Sequence, residues 1–455
     1  MIHKDLPLVT CGVTFKKFVL GGALLGFSMA VWPLDLLQSY EAAKKQDANI
    51  LATRAAAQAG RERLPQARAQ LLPSVGISVT GNRNQLASTT PNFLGIEQTT
   101  DVNYPSSNQT LTVRQPLFRP QLTAQYRQAQ ALVDDVDASL AQEEQNLVVR
   151  VTSAYLEALL TYEQLALVLS QQAFNKTQLD AARKIFAAGS GIRTDVDEAQ
   201  ARLDMSLALE IEARQNVAYT LQQLQILVNQ PVEMLDTLDV SRLELTDLQP
   251  ERLDDWIGRA ELNSPQLRSL KAQVEAAREE VEKARAGHYP TLDAVAQWSR
   301  SNSETITNVS SRYTNASIGL QLNIPIYAGG AVNSLVRQGI ANQERAEQGL
   351  EGGRRDLGVR VHKEFRAVTE SLPKIRALEQ AVRSADQLVL SSRKSFQAGS
   401  RTLIDVLNAE QQRMVVLRDL TQARYVYLIS RIRLLALVGG ADTEAVVAVN
   451  RMLKH

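Results

Sequence analysis

Ala398-Gly399-Ser400-Arg401-Thr402-Leu403-Ile404-Asp405-Val406-Leu407-Asn408 reads as a tight turn between two long helices. The same design stands earlier in the chain. Ala188-Gly189-Ser190 is followed by Thr194-Asp195-Val196, and the offsets agree: 399 − 189 = 210 and 405 − 195 = 210. One chain therefore carries two helical hairpins with a shared tip, and this duplication sets the fold.

The rest of each half repeats as well. Before the first tip, residues 121–187 contain no Pro or Gly, and Leu147, Val151, Ala154, Ala158, Leu165 and Leu169 step by three and four. That predicts a helix about 100 Å long. A return helix is expected from about Thr194 to Val228, ending before Asn229-Gln230-Pro231. In the second half a long helix runs to about Gln397, with a kink expected at Pro373. Its partner runs from Thr402 to about Val438 and is capped by Gly439-Gly440.

Ahead of each long helix the period changes from 3.6 to 2. Val75, Ile77 and Val79 alternate with Ser74, Gly76, Ser78 and Thr80, and Leu111 and Val113 alternate with Thr110, Thr112 and Arg114. The second half repeats this with Leu292, Ala294, Ala296 and Trp298, and with Ala316, Ile318, Leu320, Leu322 and Ile324. The strands are expected at about 74–80, 110–115, 291–298 and 314–324, separated by polar loops at 81–107 and 299–312. Pro116 and Pro325, 209 residues apart, end the second strand of each half. Residues 34–72 read as one helix closed by Leu72-Pro73. Residues 232–261 are an irregular linker with one small helix between the repeats 31–231 and 262–440, and the tail 441–455 carries no pattern.

Residues 1–30 read as a signal peptide: Lys4, Lys16 and Lys17 precede an apolar run from Phe18 to Met29, with Ser28 and Ala30 at the cleavage positions. An uncleaved anchor is the alternative. Cys11, the sole cysteine, stands before that run, where it does not suit lipidation. A net charge of +1 gives no drive towards nucleic acid. The four histidines show no metal-ligand spacing, and no phosphate-binding Gly-Lys-Ser/Thr loop is present, so neither cofactor nor nucleotide is expected.

A strand of roughly 9–11 residues crosses a tilted bilayer, a length that 314–324 reaches and the other three approach. Four cannot close a barrel, and an open sheet in lipid would strand its edge amides at several kcal/mol each. Three chains would supply twelve strands around a lumen, with Gln321 and Asn323, and also Asp293 and Gln297, on its water-filled face. A water-soluble four-stranded sheet beside a coiled coil is the competing reading.

With these residues assembled, the chain resembles the TolC family of outer-membrane exit ducts. The resemblance rests on the duplicated halves, on Gln115-Pro116-Leu117-Phe118 and Ile324-Pro325-Ile326-Tyr327-Ala328-Gly329-Gly330, and on the tip motif. It implies a mainly α fold with a membrane β contribution: a homotrimer with a twelve-stranded β-barrel in the outer-membrane lipid of a Gram-negative cell and a long periplasmic α-barrel. Implied partners are a periplasmic adaptor (membrane fusion) protein and an inner-membrane ABC or proton-driven transporter. The resemblance also places the periplasmic gate at the tips. Asp405 would ring the constriction, with Asn408 where a second aspartate is common. Arg401, Thr194, Asp195, Gln178 and Phe396 would tether the gate, around the turns at Gly189 and Gly399. An Arg401–Asp195 pair is the expected tie. Independently of that likeness, three carboxylates at one axis would attract cations, while Asp405 is also well placed for its own helix dipole.

The lack of a lipidated cysteine leans towards type I protein secretion or a multipurpose duct with efflux. Two other functions compete. A periplasmic coiled-coil adaptor predicts one hairpin between small β domains, and this chain has two hairpins and four amphipathic strands. An enzyme predicts a nucleophile or paired-carboxylate motif, and no recognisable one occurs.

Overall fold

A computed structural model describes residues 34–232, 234–304 and 310–454. The proposed signal peptide and Cys11 lie outside the described residues. In chain order the elements are α1 (Leu36–Gln46), α2 (Ala48–Arg61), α3 (Arg63–Ala69), β1 (Ser74–Pro91), β2 (Glu97–Phe118), α4 (Pro120–Ala187) and α5 (Arg193–Val228). There follow β3 (Thr237–Leu238), α6 (Leu253–Asn263), α7 (Pro265–Arg285), β4 (Thr291–Glu304), β5 (Ser310–Asn323), α8 (Ala331–Gln397), α9 (Leu403–Leu437), α10 (Thr443–Asn450) and β6 (Leu453–Lys454).

The two rods are α4, with 68 residues, and α8, with 67, each about 100 Å long. Pro120 opens α4 in its first turn, where a missing N–H costs nothing. Pro373 lies inside α8, which continues unbroken through it. The lower half of each rod pairs with its return helix, α5 or α9. The upper half of α4 packs on α7 and on α1–α3, α7 also packs on α8, and α4 meets α9 across the repeat.

The main apolar core sits midway, where helix ends converge. Leu36, Tyr155, Leu224, Leu267, Leu372, Tyr427 and Leu453 belong to it. Burial forces its tyrosine hydroxyls to find partners. Tyr155 donates to Leu34 O at 2.8 Å, and Tyr425 donates to Glu163 Oε1 at 2.6 Å.

The structure departs from the sequence reading in several segments. The segment 34–72 is three helices: the first break is made by Asp47, whose carboxylate accepts from Ile50 N at 2.9 Å to cap α2 and is fixed by Arg150, and the second falls at Glu62, ahead of Pro65, which has no N–H to continue the ladder. The polar stretch 81–107 is mostly strand. β1 and β2 pair continuously from Ser74↔Arg114 to Pro91↔Glu97, since serine, threonine and asparagine make cross-strand bonds such as Thr89–Thr99 at 2.8 Å. Likewise β4 and β5 run to Glu304 and from Ser310. The tail is ordered as well: β6 pairs with β3, and Asn450 Oδ1 accepts from Leu36 N and Leu37 N, so the C-terminal segment caps the first helix.

The four long strands form one antiparallel sheet in the order β1-β2-β4-β5. No described helix is long and apolar enough to cross a membrane.

Candidate functional site: the open sheet and the helix tips

The register sorts the sheet into two faces. Val75 and Ile77 align with Val113 and Leu111, these with Ala296 and Trp298, and these with Ile318 and Ala316, while Val79 and Leu320 continue the same parity along β1 and β5. Side chains alternate across a strand, so all of these residues share one apolar face. Ile318 is 87% exposed and Ile77 76%, a band that no element among the described residues covers. The opposite face carries Thr112, Gln297, Ser317 and Gln321, and on the same parity Asn323 at the base. The outer edges of β1 and β5 have no strand partner in the sheet.

Asp293 was expected to face water on that polar side. Instead it is 2% exposed and clamped. Arg114 Nε donates to its Oδ2 at 3.0 Å and Arg119 Nε to its Oδ1 at 2.8 Å. Pairing explains the burial, because a lone carboxylate there would carry a large desolvation cost. The triad ties β2, β4 and the start of α4 together at the junction of sheet and rods.

At the far end both tips close in one way. Gly189 N donates to Phe186 O and Ser190 N to Ile185 O; Gly399 N donates to Phe396 O and Ser400 N to Ser395 O. The two glycines have φ of 74° and 75°, the left-handed conformation in which a side chain would be strained. After the turn the copies diverge. At the N-cap of α5 stands Ile192, which offers no side-chain bond, and Asp195 lies in its first turn. At the N-cap of α9 stands Thr402, in a reciprocal box with Asp405. Asp405 Oδ2 accepts from Thr402 N at 2.9 Å and Thr402 Oγ1 at 2.8 Å, and Asp405 N donates to Thr402 Oγ1 at 3.3 Å. The bond from the Thr402 backbone, then that from its hydroxyl, and the nearby Arg401 charge hold the Asp405 carboxyl below the usual aspartate range. Its contribution to the box is therefore complete above that range and is lost as pH falls through the lowered value.

Arg401 Nη1 donates to Ser392 Oγ at 2.8 Å, back onto its own hairpin. Among the described residues no ion pair joins Arg401 to Asp195, and no hydrogen bond draws Thr194 or Gln178 to the second tip. Phe396 packs with Phe174 and Val196 around Ala182, Leu403 and Leu407, a small cluster that joins the two hairpins. So few apolar groups place the tips among the weakly held parts of the molecule.

The sequence reading missed the residues that lace this end. Arg202 Nε donates to Glu198 Oε1 and its Nη2 to Asn408 Oδ1, both at 2.8 Å, so one guanidinium bridges α5 and α9. Arg393 bonds the nearly buried Glu410 and lies over the Phe174 ring at 5.2 Å. The duplication offered a signal for part of this: Arg183 and Gln200 bond at 2.8 Å, and 210 residues later stand Arg393 and Glu410. Arg202 has no such echo, since Gln412 occupies the equivalent place.

Comparison with known proteins supplies the frame. The chain is 34% identical to the alkaline protease secretion protein AprF of Pseudomonas aeruginosa, over 95% of this chain and 90% of that one. It is 31% identical to the proteases secretion protein PrtF of Dickeya chrysanthemi, over 87% and 86%. The crystal structure of the outer membrane protein VceC of Vibrio cholerae superposes with a TM-score of 0.78, at 18% identity, over 90% of this chain and all of that one. The model of the family described as outer membrane efflux protein matches residues 39–230 and 256–440. The chain belongs to the outer membrane efflux protein family, and its place is the outer membrane.

Proposed function

We propose that three copies of this chain form an outer-membrane exit duct that conducts cargo passively from an inner-membrane transporter and its periplasmic adaptor to the outside. One observation carries the reading: a sheet with one apolar face, one polar face and two unpaired edges. Each unpaired edge amide in lipid costs several kcal/mol. Joining β5 of one copy to β1 of the next leaves no edge, and three copies give twelve strands with the polar face inward. Gln321 and Asn323 then line the lumen, and the rods continue the tube into the periplasm. The sequence offers no nucleotide-binding loop, so the driving energy comes from the partner.

The tips are the gate. Three Asp405 carboxylates focus negative potential at the entrance, while Asn408, held by Arg202, adds no charge one turn further in. The tip cluster is small and its ties are few, which suits an element with two arrangements that a partner can bias. Proteins are the cargo this reading favours, because AprF and PrtF are named for protease secretion. Efflux of small molecules is the second reading, favoured by the family's own description. A deletion strain scored for both secreted proteins and drug sensitivity separates them. Detergent-extracted protein should run as a trimer, and a stable monomer would overturn the shared barrel.

Two measurements test the gate in planar bilayers. Multivalent cations should block the channel, and Asp405→Asn should weaken that block by about tenfold or more. Block that is unchanged in the variant would remove Asp405 from the constriction. Arg202→Ala frees both Glu198 and Asn408 and should raise the closed-state conductance. The same conductance as wild type would mean that the remaining tip contacts suffice.

A further inference from the structure

The apolar face of the sheet ends in arginine. Followed away from the helices, the outward-facing positions of β1 read Val75, Ile77, Val79, Gly81, Arg83. Those of β4 read Leu292, Ala294, Ala296, Trp298, Arg300. Those of β5, taken in reverse, read Leu322, Leu320, Ile318, Ala316, Thr314, Arg312. On each of these strands the first charged residue past the apolar stripe is therefore an arginine. The register keeps all three on the outward face: Arg300 pairs with Gln109, itself opposite Val79; Arg312 pairs with Asn302; Arg83 pairs with Pro105.

All three side chains are exposed. Arg312 Nε donates to Asn302 Oδ1 at 3.1 Å, and among the described residues none of the three makes an ion pair. The first acids at outward positions lie beyond the arginines: Asp101 on β2, which pairs with Ala87, four residues beyond Arg83, and Glu304 on β4, which pairs with Ser310, four residues beyond Arg300. At the opposite, helix-side end of the stripes the outward positions hold no charge: Val75, Gln115, Leu292 and Leu322. The asymmetry excludes a general need for solubility, which would charge both rims.

We infer that Arg83, Arg300 and Arg312 form a cationic girdle that binds phosphate-bearing lipid headgroups of the outer leaflet. The inference rests on the reading of the sheet as membrane-spanning. The helices leave from one end of the sheet into the periplasm, so the arginine end meets the outer leaflet. There Trp298 sits one step below Arg300, at the depth where an aromatic ring prefers the interface. A guanidinium matches a phosphate with paired N–H donors, and its charge is attracted to an anionic surface. In a closed ring β5 of one copy adjoins β1 of the next, which brings Arg312 beside the neighbouring copy's first strand.

The test uses the full-length protein in nanodiscs of phosphatidylcholine containing a minor fraction of phosphatidic acid. Retained lipid is counted by native mass spectrometry. Wild type should enrich phosphatidic acid severalfold over its share. The triple variant Arg83→Gln/Arg300→Gln/Arg312→Gln should lose that enrichment, at about fivefold in affinity for each arginine. Arg193→Gln/Arg355→Gln/Arg366→Gln, changed on the helices, should keep it. Should the triple variant fail to fold, the single variants Arg83→Gln and Arg312→Gln should each show a partial loss. Enrichment that persists in the variants, or full displacement of the lipid by inorganic phosphate, overturns this proposal alone. A wild-type chain that does not enter the nanodisc overturns the membrane reading, and this proposal with it.

Discussion

Ile318→Arg is expected to abolish most of the membrane-inserted protein, while Ser317→Arg next to it should be nearly silent. The two residues are neighbours in β5 and face opposite sides of the sheet. Ile318 lies in the middle of the apolar stripe, between Ala316 and Leu320, and a charge facing lipid near the bilayer midplane costs about 2–4 kcal/mol. That corresponds to about 30- to 900-fold in the insertion equilibrium. Ser317 is opposite Gln297 on the polar face, where an added arginine meets water in the lumen. Membrane fractions of cells that express each variant, probed for heat-resistant oligomer, give the comparison. Equal yields of the two variants would show that neither face meets lipid.

Asp293→Ala is the second large effect. A buried carboxylate is held here by Arg114 and Arg119, whose side chains are 44% and 28% exposed. Breaking a buried ion pair by removing one partner costs about 3–5 kcal/mol, because the remaining charge is left without compensation. Partial exposure lets the two guanidinium groups regain some water, so a loss of about 3 kcal/mol is expected in urea unfolding of the detergent-solubilised protein. The companion Asp293→Leu/Arg114→Met/Arg119→Met removes all three charges and should recover much of that loss. If Asp293→Ala unfolds like wild type, the triad does not hold the sheet on the rods.

Much of this architecture is legible in the residues because it is periodic. The 3.6-residue spacing of Leu147, Val151 and Ala158 has one solution over such a length, and the helix ends close to where the glycine of each tip demands. The strands are legible where one face is apolar, as in Val75-Ile77-Val79. Beyond Thr80 both faces are polar, so alternation vanishes although the hydrogen-bonded ladder continues to Pro91. The same blindness hid the ordered tail, whose role is to cap α1 and pair with β3 from more than 200 residues away. At the tips, sequence located Asp405, Asn408 and Arg401. It could not show that Asp405 is engaged with Thr402, that Asn408 is held by Arg202, or that Arg401 turns to Ser392.

The sequence by itself determined the duplicated plan, the long rods, the two turns and the two-faced strands, since each follows from local spacing and from the conformations glycine and proline permit. Only the tertiary structure decided the partners of the charged groups. A guanidinium on a flexible stem reaches whichever acceptor the packing of distant elements brings near, and no local pattern records that Arg114 and Arg119 converge on Asp293 or that Arg202 spans two helices.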